Sequence, residues 1–123
     1  MAFGSQLAQW FGTPRTLVLL GEQAVISAAG TTQGTAAAIT TANAVVGTVS
    51  AFGAGVILPV TPAVSANDRI HVANQGANTL ACYPPVGGAL GKAAANVPAM
   101  IASGKAADFY CIDGTNYSAI LSA

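Results

Sequence analysis

Apolar and polar positions alternate with a period of two along much of this chain. In Arg69–Ala73, Ile70 and Val72 fall on one side while Arg69 and His71 fall on the other; in Ala106–Ile112, Ala107, Phe109 and Cys111 oppose Asp108 and Tyr110. Successive side chains of a strand point to opposite faces, so this spacing predicts strands with one face in a core. From Thr16 onward, short β-branched or aromatic runs are separated by Gly, Asn, Asp and Pro. They predict strands at Thr16–Leu20, Gln23–Ala29, Ala44–Ser50, Gly55–Leu58, Arg69–Ala73, Thr79–Tyr83, Val97–Ala102, Ala106–Ile112 and Tyr117–Leu121. Asn74-Gln75-Gly76-Ala77-Asn78 and Asp113-Gly114-Thr115-Asn116 supply residues that tolerate positive φ, predicting hairpins over Arg69–Tyr83 and Ala106–Leu121. Pro59, Pro62 and Pro84-Pro85 with Gly87-Gly88 mark loops or sheet edges, and Ala102-Ser103-Gly104-Lys105 reads as a β-turn between two strands.

The period changes at the amino end. Phe3, Leu7, Trp10 and Phe11 recur at i, i+4, i+7 and i+8, one face of a helix, until Gly12 and Pro14 stop the pattern. Two turns of helix fall short of the roughly 12 to 15 residues at which isolated helices become marginal in water, so such a segment must dock to form. It packs either on its own domain or on a neighbouring subunit. The expected organisation is therefore an arm over residues 1–15 and one all-β domain over 16–123, a jelly-roll-like β-sandwich. Gly30–Thr41, made of Thr, Ala and Gly with few bulky side chains, reads as a surface loop or small-residue edge strand. The alternative is an extended stretch that meets another chain closely.

Composition sharpens this picture. Of 123 residues, 53% are hydrophobic and only 7% charged, four basic against four acidic. Soluble domains carry about 25% charge, so much of this surface is expected to be covered by other protein. The apolar excess is Ala, Val and Gly, and no run nears the roughly 20 residues that span a bilayer. Leu17–Leu20 is too short for the apolar region of a signal peptide and lacks a basic cluster before it, so export and membrane association are not expected. Cys82 and Cys111 sit in apolar strand-like segments and read as small buried hydrophobes; a cross-strand disulfide would need an oxidising compartment.

Candidate chemistry is sparse. His71 is the only histidine and reads as a solvated or interface side chain. The carboxylates are Glu22, Asp68, Asp108 and Asp113, of which Asp68 and Asp113 fall at turns where Asp bonds its own backbone. No spacing suggests a carboxylate pair, a metal-binding cysteine set, a nucleophile elbow or a phosphate loop. Four scattered basic residues make no nucleic-acid footprint, and Asn116-Tyr117-Ser118 matters as a glycosylation acceptor only after secretion. No enzymatic activity, cofactor, metal or small-molecule substrate is expected. A sugar-binding surface would need an aromatic platform, for which Tyr83, Tyr110 and Tyr117 are the candidates.

From Gly55 to Ala123 a further pattern emerges. Gly55-Val56-Ile57-Leu58-Pro59 is followed by Asn67-Asp68-Arg69-Ile70-His71-Val72-Ala73-Asn74-Gln75-Gly76-Ala77-Asn78, then Tyr83-Pro84-Pro85-Val86-Gly87-Gly88, Gly104-Lys105 and Asp113-Gly114-Thr115-Asn116-Tyr117-Ser118-Ala119-Ile120-Leu121. In order and spacing these resemble small structural proteins of tailed-bacteriophage virions, of the capsid decoration (cement) or fibre-associated kind. The resemblance departs at Ala89-Leu90-Gly91-Lys92-Ala93-Ala94-Ala95 and does not cover the arm. It implies a virion protein made in the host cytoplasm and does not by itself fix the place on the particle, for which the capsid surface is the expectation. The major capsid protein or other virion proteins are the implied partners, and a homo-oligomer (trimer or dimer) the implied state. A place in the tail, baseplate or a fibre is the alternative, and a carbohydrate-binding sandwich for host recognition a third. Phe3, Leu7, Trp10 and Phe11 are the expected interface anchors, since buried aromatics dominate interface energetics.

Overall fold

The computed structural model describes residues 21–60, 64, 66–113 and 115–121. The predicted arm and the predicted strand Thr16–Leu20 lie outside them. Nine strands are present among the described residues: β1 (Gly21–Ser27), β2 (Ala37–Ala38), β3 (Thr41–Thr48), β4 (Gly55–Ile57), β5 (Arg69–Asn74), β6 (Leu80–Tyr83), β7 (Ala99–Ile101), β8 (Ala106–Cys111) and β9 (Tyr117–Leu121). They form a five-stranded sheet in the order β1-β3-β5-β8-β9 and a four-stranded sheet in the order β2-β4-β6-β7. The all-β class expected from the alternation is what is seen.

The connectivity is a winding. From β1 to β6 each successive strand lies in the sheet opposite the one before it, so strands of one sheet are separated in sequence by a strand of the other. β1–β3, β3–β5, β2–β4 and β4–β6 therefore pair in parallel. Parallel neighbours need a long crossover between them, and here the crossover is itself a strand of the opposite layer. The carboxyl-terminal part closes both sheets with antiparallel pairs, β6–β7 in one and β5–β8 and β8–β9 in the other. A jelly roll is built from antiparallel Greek keys, so these mixed sheets depart from the jelly-roll connectivity expected above.

One core joins the layers. Ala44, Val46, Ile70, Val72, Ala107, Phe109 and Tyr117 come from the five-stranded sheet, and Val56, Leu80, Cys82 and Ile101 from the other. The alternation assigned to Arg69–Ala73 and Ala106–Ile112 is observed: Ile70, Val72, Ala107, Phe109 and Cys111 are buried, while Arg69 and Tyr110 are exposed. Tyr117 is wholly buried, and its hydroxyl donates to Pro59 O at 2.6 Å, satisfying the one polar atom it carries inside.

Two predicted hairpins fare differently. Ala106–Leu121 is an antiparallel pair, with Phe109 opposite Ala119 and Cys111 opposite Tyr117. Arg69–Tyr83 is not a hairpin: β5 and β6 lie in different sheets, and Asn74–Asn78 carries the chain across. The reason is the Asn74 side chain, which is fully buried. Its Nδ2 donates to Asn78 O (2.9 Å) and to Ile101 O (2.8 Å), and its Oδ1 accepts from Gly76 N (2.9 Å). This ties the crossing to β7 rather than letting it fold back on β5. Gly76 then passes so close to the preceding coil that a Cβ there would stand 2.6 Å from Val49 N. A run of Asn and Gly suits a hairpin and a sheet-to-sheet crossing equally.

The small-residue segment resolves into a 3-10 turn at Gln33–Thr35 and the two-residue strand β2 at the edge of the four-stranded sheet, matching its reading as an edge strand. Ala102–Lys105 is the expected β-turn, closed by Lys105 N donating to Ala102 O at 3.0 Å with Gly104 at φ 79. Ala89–Ala95 is loop, apart from a single bridge from Leu90 to Tyr117.

Replacing Asn74 with Ala removes three hydrogen bonds and leaves the Ile101 carbonyl and Gly76 N–H buried without them. Such groups cost about 1–3 kcal/mol each, so Asn74→Ala is expected to lower unfolding free energy by about 2–4 kcal/mol. Urea denaturation followed by far-UV circular dichroism measures it.

Candidate functional site

The outer face of the five-stranded sheet carries a row that is polar at four of its five positions. Gln23, Asn43, His71, Asp108 and Ile120 stand in register across β1, β3, β5, β8 and β9, because all five occupy outward positions of their alternation. At its centre Asp108 Oδ1 accepts from His71 Nδ1 at 2.7 Å, from Arg69 Nη2 at 3.0 Å and from Arg69 Nε at 3.2 Å. Partial burial would raise the Asp108 pKa, but the bonds from His71 and Arg69 outweigh it and hold the carboxyl below its ordinary range. The same carboxylate raises the pKa of Arg69. The cluster forms a ridge between two depressions. One, of about 400 Å³, is lined by Ala42, Asn43, Arg69 and His71; the other, of about 190 Å³, is flanked by His71, Asp108, Ile120 and Leu121.

A second concavity is apolar. Ala38, Ile39, Ile57, Leu58, Pro59, Val60, Pro85 and Val86 line a groove of about 350 Å³. Parallel pairing explains it: the carboxyl ends of β2, β4 and β6 reach the same end of the four-stranded sheet, and the proline-bearing segments after β4 and β6 form its wall. Elsewhere Val25, Phe52 and Val86 are at least 72% exposed, and Ile112 and Ile120 more than half. Large apolar side chains so placed favour contact with another apolar surface over water.

The residues singled out from sequence fall as follows. Phe3, Leu7, Trp10 and Phe11 lie outside the described residues. His71 is partly exposed, as expected, but has a carboxylate partner that the sequence reading did not supply. Both residues stand at outward positions of their strands, 37 residues apart, and only the β5–β8 register brings them together. Asp113 bonds its own loop, its Oδ1 accepting from Thr115 N and Asn116 N, which with the Asn116 side chain lowers its pKa. Of the three tyrosines offered as a sugar platform, Tyr83 and Tyr117 are buried, leaving Tyr110, which stands opposite Arg69 across β5–β8. Both cysteines are buried, Cys82 on β6 and Cys111 on β8, in different sheets. Burial pushes the Cys82 thiol well above its ordinary pKa. No three His, Cys, Asp or Glu side chains among the described residues gather to hold a metal.

Comparisons with protein families, with curated proteins and with solved structures return no match.

Two outcomes follow from this chemistry. The folded Asp108 pKa lies below its unfolded value, so its contribution to stability is complete above the unfolded pKa of about 4 and is lost as pH falls through the folded one. Asp108→Asn should remove that part of the acid dependence, an effect below about 1 kcal/mol because the pair is half in solvent, seen as a flatter melting-temperature profile from pH 5 to pH 2. Cys82 and Cys111 should resist alkylation in the native protein and react fully in denaturant, measured by mass shift with iodoacetamide.

Proposed function

We propose that this chain is a non-enzymatic structural protein of a tailed-bacteriophage virion, a capsid decoration protein that packs on the major capsid protein and stabilises its lattice. The observation that carries the reading is a surface with large exposed apolar side chains, Val25, Phe52 and Val86 among them, on a chain with eight formally charged residues in all. Such a surface is poorly suited to a free monomer and well suited to burial in an assembly, where each unpaired charge would carry a desolvation cost. The ordered motifs from Gly55 to Ala123 supply the virion context by resemblance.

On this reading the chain acts by contact area. Many weak apolar and backbone contacts, repeated over a symmetric shell, add to a large lattice stabilisation with no single strong site. The arm over residues 1–15 supplies the anchoring side chains Phe3, Leu7, Trp10 and Phe11, with the β domain as its rigid carrier. The Arg69–His71–Asp108 cluster is a cross-strand hydrogen-bond network, with an Arg69–Asp108 ion pair, that keeps the centre of the outer face ordered.

Quantitative mass spectrometry of purified particles tests the location. A ratio to the major capsid protein near that of a lattice component is expected; a handful of copies would move the chain to the tail, baseplate or a fibre, and absence would remove the virion reading. A variant lacking residues 1–15 should keep its far-UV spectrum and lose sedimentation with undecorated shells. Undiminished binding would show that the arm is not the anchor.

A further inference from the structure

We propose that copies of this chain associate head to tail, the exposed phenyl ring of Phe52 on one copy seating in the apolar groove beside Pro85 and Val86 on the next. This names a contact between copies and does not depend on the virion reading.

Local sequence presents the ring. Ala51-Phe52-Gly53-Ala54 is a β-turn, closed by Ala54 N donating to Ala51 O at 3.1 Å, with Gly53 at φ 82 in its third position. Positive φ there suits glycine and leaves Phe52 in the second position, at the apex. Gly53 N donates to Thr79 O at 2.9 Å, which fastens the turn to the residue before β6. Turn apices ordinarily carry small or polar residues, yet this one holds a phenyl ring on a side chain that is 72% exposed. An aromatic side chain on a fastened turn has little conformational freedom to lose on docking.

Topology puts the ring and the groove at opposite poles. β2, β4 and β6 are parallel, so all three begin at one pole of the sandwich and end at the other. Phe52 precedes β4, at the beginning pole, whereas the groove is built where β2, β4 and β6 end. A projecting group at one pole and a recess at the other make a heterologous contact, which repeats from copy to copy until it closes. The recess has the right size and chemistry. A dry cavity of about 150 Å³ already admits benzene, so a groove of about 350 Å³ walled by Ile57, Pro59, Val60 and Val86 has room for the ring. Among the described residues its lining is wholly apolar, which suits a hydrocarbon surface better than a polar small molecule.

Charge sets the direction. Lys105 belongs to the Phe52 pole, where its carbonyl accepts from Asn74 N at the end of β5. At the groove pole lie Asp68 and Asp113, at the start of β5 and after β8, together with Lys92 in the segment between β6 and β7. Among the described side chains the groove pole is therefore net negative and the Phe52 pole positive, which favours unlike poles meeting over like ones. Docking Phe52 covers about 150–250 Å², well below the roughly 800 Å² per partner of a standard stable interface, so the contact is reversible and gains by repetition.

Sedimentation velocity of the full-length chain between about 10 μM and about 1 mM tests it. Concentration-dependent assemblies larger than a dimer are expected. A monomer throughout, as when a segment of the same chain fills the groove, or a species that stops at a dimer overturns the proposal. Phe52→Asp and Val86→Asp change exposed positions and should keep the far-UV spectrum, while each alone weakens association by about 30-fold or more. Mixed in equal amounts, the two variants are expected to pair one to one and go no further, because one supplies the ring and the other an intact groove. Undiminished association of either variant alone, or no pairing in the mixture, overturns the proposal. Phe52→Ser and Val86→Ser take their place if either Asp variant loses its far-UV spectrum.

Discussion

One buried amide holds the two layers in their relation. Asn74 ends β5 in one sheet, yet its side chain donates to Ile101 in β7 of the other and to Asn78 at the start of the return. Its backbone N–H donates to Lys105 O and its carbonyl accepts from Gly104 N, so the turn leading into β8 is fastened to the same residue. Ser103 Oγ adds a bond to Gly76 O at 2.6 Å. A fully satisfied polar residue in an apolar core contributes less through net energy than through the arrangements it forbids. With its partners drawn from three segments, Asn74 admits one placement of the crossing and one distance between the sheets at that end.

The outward and inward faces answer to different rules. Inside, small residues such as Ala44, Ala107 and Cys82 alternate with Phe109, Tyr117 and Ile70, so that two thin sheets close on each other without a helix to fill the gap. Outside, two of the eight formal charges, Arg69 and Asp108, are paired in the network with His71 at the centre of the five-stranded sheet. That leaves little long-range electrostatic steering, so recognition by this surface depends on shape and apolar contact.

Much of the local structure was legible in the residues. Alternation at Arg69–Ala73 and Ala106–Ile112 placed the correct side chains in the core, and Asp113–Asn116 marked a true hairpin because its Asp bonds the following N–H groups. Which strands pair was not legible. Strand periodicity says which face is buried and nothing about the neighbour, so the parallel winding, the separation of β5 from β6 and the meeting of His71 with Asp108 could not be read. β2 escaped for another reason: Ala37 and Ala38 carry neither β-branching nor aromatic rings, and they are extended because the register beside β4 places them there. The apolar groove was likewise invisible, since it is made by three strand ends that only the parallel topology gathers.

The alternate use of the two sheets makes the molecule unequal at its ends. At the β7 and β9 side each sheet terminates in an antiparallel partner, a contact that the chain reaches by a return rather than by passing through the other layer. At the β1 and β2 side the coils are stacked like turns of a spring. Each coil on that side rests on the next one alone, whereas β8 is flanked on both edges, by β5 and β9, and carries Phe109 into the core.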